Sequence, residues 1–332
     1  MRNFKIRSII LFSILFTMLC GMLSLATGSR YIPVSDVLSA LTGANGDAFT
    51  VSVVQARIPR MVFGIIAGGA LGVSGALMQS ITRNPIADPS ILGVNTGASL
   101  FVVCGIAFFN INLPYQYIWL ALMGSGATAV FVYAIASIGS GEITPIKLAL
   151  SGAATSMALA SLVSTVMLPK SQVMDDFRFW QVGSISGTGW SDILIIAPYL
   201  LAGFIISIFL IPSLNSLALG DEIATGLGVN TKLTKGMGAL AGVLLCGATT
   251  ALAGPIGFVG LMIPHLIRIL FGPDLKYILP MSAVGGACLL TISDTIGRVL
   301  GSPGELEVGI VTAFLGAPFF IMIVRKRKVS SI

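Results

Sequence analysis

A chain of 332 residues would suit two ordinary soluble domains, but only 10% of its residues are charged, against about 25% in such domains, and 55% are apolar, which excludes a water-soluble globule. A net charge of +6 with no basic stripe, and only 6 Tyr and 3 Trp, excludes a nucleic-acid-binding face. Cys20, Cys104, Cys246 and Cys288 lie far apart inside apolar stretches, so they read as small buried hydrophobes and not as a disulfide or metal cluster.

Charge-free apolar runs of about 20 residues suffice to cross about 30 Å of hydrocarbon. They predict an all-α polytopic membrane protein of about ten spans, a single transmembrane domain over residues 1–332. Arg2, Lys5 and Arg7 precede the first run. Because many spans follow, it is expected to be an uncleaved helix at about 9–27 and not a signal peptide. The second span is expected at about 61–81. Asn110, Asn112 and Pro114 divide the long charge-free stretch between Asp88 and Glu142 into spans at about 91–108 and 117–138. Further spans are expected at about 147–168, 193–212 and 233–252, then a shorter one at about 257–270 after the Gly254-Pro255-Ile256-Gly257 break. The last two are expected at about 277–297 and 307–324. An even number of spans puts both termini on one side. Thirteen of the 19 Lys and Arg then share that side and six, including Arg30, face the other, so the termini are expected in the cytoplasm.

Two connections exceed a tight turn. The outer one, about 169–192, contains Asp175, Asp176 and Trp180. In the cytoplasmic one, about 213–231, Asp221 and Glu222 suit the start of a short helix and Gly228 its end. Asn84-Pro85 and Asp88-Pro89 predict a tight hairpin after the second span.

No Gly-x-x-x-x-Gly-Lys-Ser/Thr phosphate loop occurs, so the chain supplies no ATPase site of that class. The single histidine, His265, near the end of the eighth span, is read as structural or interfacial. Asp294 and Arg298 stand four apart in the order that favours a helix ion pair, and are read as structural. A secondary transporter would need ionisable groups near the midplane, which are scarce, and a membrane-embedded hydrolase would need a clustered nucleophile and base. Arg57 and Arg60 are placed at the outer start of the second span. Two cations there oppose both the helix dipole and the charge bias, which points to carboxylates on another protein, and Arg298 is a third cation on that face.

Longer stretches carry a resemblance. These are Arg57-Ile-Pro-Arg60, the run from Gly75 to Pro89, Leu92-Gly-Val-Asn-Thr-Gly-Ala98, Leu219-Gly-Asp-Glu-Ile-Ala-Thr-Gly-Leu-Gly-Val-Asn230, Gly254-Pro-Ile-Gly-Phe-Val-Gly-Leu-Met-Ile-Pro-His265 and Gly309-Ile-Val-Thr-Ala-Phe-Leu-Gly-Ala-Pro-Phe-Phe320. In one order over essentially the whole chain, they resemble the permease family of iron-siderophore, haem and cobalamin ABC importers. The resemblance implies ten spans per subunit in a bacterial cytoplasmic membrane. It also implies a second permease subunit, identical or related, in contact with membrane lipid, separate ATP-binding subunits that carry ATP and Mg, and a substrate-binding (lipo)protein. It implies no cofactor or metal on this chain. By the same resemblance Arg57, Arg60 and Arg298 are expected to dock the binding protein, and Leu219, Gly220, Asp221, Glu222, Ala224 and Gly228 to couple to the ATPase. Thr144, Pro145 and Ile146 are expected to form a cytoplasmic gate. The expected cargo is a ferric siderophore, with haem or cobalamin as alternatives. At Gly304-Glu305-Leu306-Glu307 the sequence departs from the family's usual Gly-x-Pro pattern.

Overall fold

The computed structural model describes residues 2–28, 31–42, 47–109, 111, 113–138 and 144–329, with side chains from Ser13 to Arg325 apart from Pro114, Ile323 and Val324. Arg30, Asn110, Asn112 and Glu142, and the side chains of Arg2, Lys5, Arg7, Lys326, Arg327 and Lys328, lie outside these residues. Among the described residues all regular structure is helical. The order is α1 (Arg2–Ala26), α2 (Val34–Thr42), α3 (Ala48–Thr82), a 3-10 turn (Pro89–Leu92), α4 (Val94–Phe109), α5 (Pro114–Ser137), α6 (Pro145–Met167) and α7 (Ser171–Val182). There follow α8 (Trp190–Phe209), α9 (Ile211–Leu217), α10 (Asp221–Gly226), α11 (Thr231–Ala253), α12 (Val259–Phe271), α13 (Leu275–Leu300) and α14 (Val308–Val329).

Each expected span falls on one of these helices. Among the described residues six helices, α3, α5, α6, α8, α11 and α13, are long and apolar enough to cross a membrane, and Ser13–Ala26, Val94–Phe109, Val259–Phe271 and Val308–Met322 are shorter apolar helices. The helical ladder satisfies backbone donors and acceptors within each segment, which hydrocarbon requires.

The core is built around α3, which packs most extensively against α13 and also against α11 and α12. Apolar side chains cannot drive helix association within lipid, so close backbone approach between small residues does. A Cβ at Gly72 would sit 2.1 Å from the Ser282 carbonyl oxygen of α13, and one at Gly75 would sit 1.8 Å from that of Gly260 in α12. Gln79 seals the same seam by donating to the Gly260 and Leu261 carbonyls.

Three local expectations change. Helix α3 starts at Ala48, so Arg57 and Arg60 lie more than two turns inside it, beyond the reach of the N-terminal dipole. The outer connection holds α7, whose Val173 and Phe177 are buried while Asp175 pairs with Arg178 at 3.3 Å on the exposed side. His265 lies in mid-helix, edge-on to Phe319 at 6.5 Å, and not near the helix end. The expected hairpin after α3 is present. Asn84 Oδ1 accepts from the Ile86 amide and Asp88 Oδ1 from the Ser90 amide, capping the 3-10 turn. All four cysteines are free.

Candidate functional site

Two polar clusters lie along α3, one around Arg57 and Arg60 in its first half and one around Arg83 just past its last residue. The separation from Arg57 to Arg83 along the helix is about 39 Å, from a rise of about 1.5 Å per residue. This exceeds the roughly 30 Å hydrocarbon thickness.

At the Arg57 end, Asp294 is the hub. It is only 3% exposed, and it pairs with Arg60 Nη2 at 2.7 Å and with Arg298 Nη2 at 3.1 Å. Arg60 also donates through Nη1 to Glu305 Oε2 at 2.8 Å, and Ser186 Oγ donates to the same oxygen at 3.1 Å. Burial works against the Glu305 charge, but Arg60, Ser186 and Arg298 hold its carboxyl below the ordinary range. Arg57 and Arg298 also reach the end of α1. Arg57 Nη1 donates to the Leu25 carbonyl at 2.7 Å, and Arg298 donates to the Thr27 carbonyl at 3.0 Å and to Ser24 Oγ at 2.7 Å. The last carbonyls of a helix lack partners within the helix and carry the negative end of its dipole, so cations suit them. Gly28 makes room, because a Cβ there would sit 2.6 Å from Arg57 Nη2. Arg57, Arg60, Arg298, Glu305, Gly28 and Thr188 border a cavity of about 360 Å³.

The three sequence-selected arginines are thus brought together. Their electrostatic cost is answered within the chain by Asp294, Glu305 and the α1 carbonyls, so that cost does not by itself require an outside partner. Arg298 is only 3% exposed, so it borders the cavity without standing on the exposed face. The link from Arg60 to Asp294 spans 234 positions, and neither residue's neighbours in sequence signal it. Ser186 was likewise invisible in the sequence. The one available signal for Glu305 was the departure at 304–307.

At the other end, the expected short helix is α10, with Asp221 and Glu222 in its first turn. Gly228 has φ +83°, a left-handed conformation that glycine adopts without strain and that lets the chain turn after the helix. Asp221 is tied inward, to Arg83 just beyond α3 and to Lys235 Nζ of α11 at 2.7 Å. Burial opposes its charge, but Lys235 and Arg83 prevail and hold the carboxyl below the ordinary range. Ala224 is fully buried, whereas Leu219, Ile223 and Leu227 are 60%, 55% and 62% exposed. The segment is therefore fastened by one face and offers a small apolar surface with the other.

Thr144 Oγ1 caps α6 by accepting from the Lys147 amide at 3.2 Å, and Pro145 occupies the first helical turn. Thr144 and Pro145 border a cavity of about 250 Å³ with Thr82, Tyr133, Lys232 and Lys235. Ile146 is 72% exposed. The starts of α6 and α11 thus flank one cavity, and its Lys235 is the residue that pairs with Asp221 of α10. Among the described residues no group of three or more His, Cys, Asp or Glu could hold a metal ion.

The FecCD transport family matches residues 15–326. The ferric enterobactin transport system permease protein FepD of Escherichia coli (strain K12) is 41% identical over 95% of this chain and 94% of its own length. The Fe(3+)-citrate import system permease protein YfmD of Bacillus subtilis (strain 168) is 41% identical over 92% and 90%. Among solved structures, an inward-facing metal-chelate type ABC transporter superposes with a TM-score of 0.81 at 28% identity, covering 97% of this chain and 99% of that one.

Proposed function

The chain belongs to the FecCD transport family, and on that footing we propose that it is the membrane permease subunit of an ABC importer that carries a ferric siderophore into the cell. Kinship along nearly the full length carries this reading, since relatives at 41% identity are permeases for ferric enterobactin and ferric citrate. The two-ended design of α3 supports it. One end holds arginines around an open cavity, and the other holds a short helix with an exposed apolar surface.

In this reading the ten helices that match the expected spans all cross a bacterial cytoplasmic membrane, with both termini inside. A second permease subunit completes the pathway, and the exposed apolar faces, such as Leu150, Met157 and Leu162 of α6, meet that subunit or lipid. The chain lacks a phosphate-binding loop, so ATP and Mg belong to separate ATP-binding subunits, which dock on Leu219, Ile223 and Leu227. Arg57 and Arg60 receive carboxylates of a substrate-binding protein, while Arg298 supports them through Asp294. Thr144, Pro145 and Ile146 gate the inner side.

Uptake of radiolabelled iron tests this, with the iron supplied in a panel of ferric siderophores beside haem and labelled cobalamin, in cells with and without the chain. Selective loss of one ferric siderophore is expected. Loss of haem or cobalamin uptake alone would replace the cargo, and unchanged uptake of all three classes would overturn the reading.

A further inference from the structure

Four of the five N–H groups of Arg60 are engaged, which leaves one where a bidentate docking carboxylate needs two. Its Nε and Nη2 both donate to Asp294 Oδ1, at 3.1 and 2.7 Å, and its Nη1 donates to Glu305 at 2.8 Å and to Ser186 Oγ at 3.3 Å. A guanidinium has five N–H groups in a fixed fork, so a new bidentate partner on it must displace an old one. The two resident carboxylates are not equivalent. Asp294 is 3% exposed, lies inside α13 and is also held by Arg298, so withdrawing it would strand a buried charge. Glu305 is one-third exposed, sits on the connection between α13 and α14, and among the described residues accepts hydrogen bonds through its Oε2 from Arg60 and Ser186.

We propose that Glu305 is a resident competitor at the docking arginine, and that an acidic side chain of the binding protein docks by exchanging with it on Arg60. The inference rests on the docking role proposed above for Arg57 and Arg60. It places Glu305 as a residue that sets docking strength and guards the cavity against indiscriminate anions. A weak acidic partner cannot complete the exchange, whereas one that presents several carboxylates can. The exchange moves the Glu305 side chain alone, because the backbone beside it stays fastened to α13 where the Leu306 amide donates to the Gly297 carbonyl at 3.1 Å.

The test uses the full importer complex in nanodiscs and the purified soluble substrate-binding proteins of the source cell, each taken in turn. The protein whose binding is lost in Arg57→Glu serves as the probe. Glu305→Gln and Glu305→Ala should each tighten that probe's Kd up to about fivefold, the equivalent of about 1 kcal/mol for a partly exposed ion pair. Glu307→Gln removes the same charge two residues away and should leave Kd unchanged. Modification of Arg60 by phenylglyoxal, read by mass spectrometry, should rise severalfold in Glu305→Gln with no partner present. An Arg57-sensitive probe whose Kd and whose Arg60 reactivity are unmoved by both Glu305 variants would overturn the exchange while keeping the docking site. If no binding protein is sensitive to Arg57→Glu, the docking reading and the exchange fall together. Tightening by Glu307→Gln equal to that by Glu305→Gln would reduce the effect to general surface charge and overturn the exchange.

Discussion

Asp294 and Asp221 each meet two cations, yet their surroundings make the pairs unequal. Asp294 and Arg298 are both 3% exposed, and taking one partner from such a buried set costs about 3–5 kcal/mol because the other charge is left stranded. Asp221 is 35% exposed, where solvent screening reduces a pair to about 0–1 kcal/mol. Asp294→Asn should therefore lower the thermal unfolding temperature of the purified protein by many degrees, and Asp221→Asn should barely move it. Equal shifts would show that water reaches the Asp294 cluster. Glu305 adds a pH dependence. Its carboxyl is held below the ordinary value, so its contribution is complete above about pH 4.3, the reference for Glu, and fades only as pH falls through the lowered value. Phenylglyoxal reactivity of Arg60, divided by that of an exposed reference arginine such as Arg178, should accordingly stay flat from pH 8 to pH 5. A rise in that window beyond the reagent's own pH dependence would mean that the carboxyl is not held in its charged form.

Helix α3 is the element on which both ends depend, and its glycines fix how closely its neighbours approach. Gly72→Val would drive a side chain into the Ser282 carbonyl, a clash between two backbones that no rotamer relieves. This variant should reach the membrane in a small fraction of the wild-type amount, read by immunoblot of detergent extracts. Gly226→Ala, where a Cβ would meet nothing within 4 Å, should express normally. On α10 the two faces should separate in experiment. Ile223→Asp with Leu227→Asp should cut co-purification of ATP-binding subunits at least tenfold, whereas Asp221→Asn should leave them attached and loosen coupling between hydrolysis and uptake. Retained co-purification in the aspartate double variant would move the attachment elsewhere. The sequence made the long helices legible because apolar runs bounded by charge mark membrane spans. It misplaced the start of α3 because Arg57 and Arg60 interrupt an apolar run that the helix crosses without a break. It left α7 as a connection because charges dilute that segment's hydropathy, although Val173, Phe177 and Trp180 recur at helical spacing.

The whole molecule is a helical body with charge confined mainly to its two ends. That division was readable from the spacing of Lys, Arg, Asp and Glu, and the motifs from Arg57 to Phe320 pointed to the family. The closure of the arginine cluster was not readable, because it joins α1, α3 and α13 with the loops around Ser186 and Glu305 through tertiary contacts alone. In the proposed function this body moves its cargo with energy from ATP on separate subunits. The direct measurement is ferric-siderophore uptake in spheroplasts carrying the chain. In one arm ATP is depleted by arsenate while respiration holds the membrane potential, and in the other a protonophore collapses the potential while ATP is kept. Uptake should stop in the first arm and persist in the second. Uptake that survives arsenate and stops with the protonophore would overturn the ABC importer reading and identify an ion-coupled carrier.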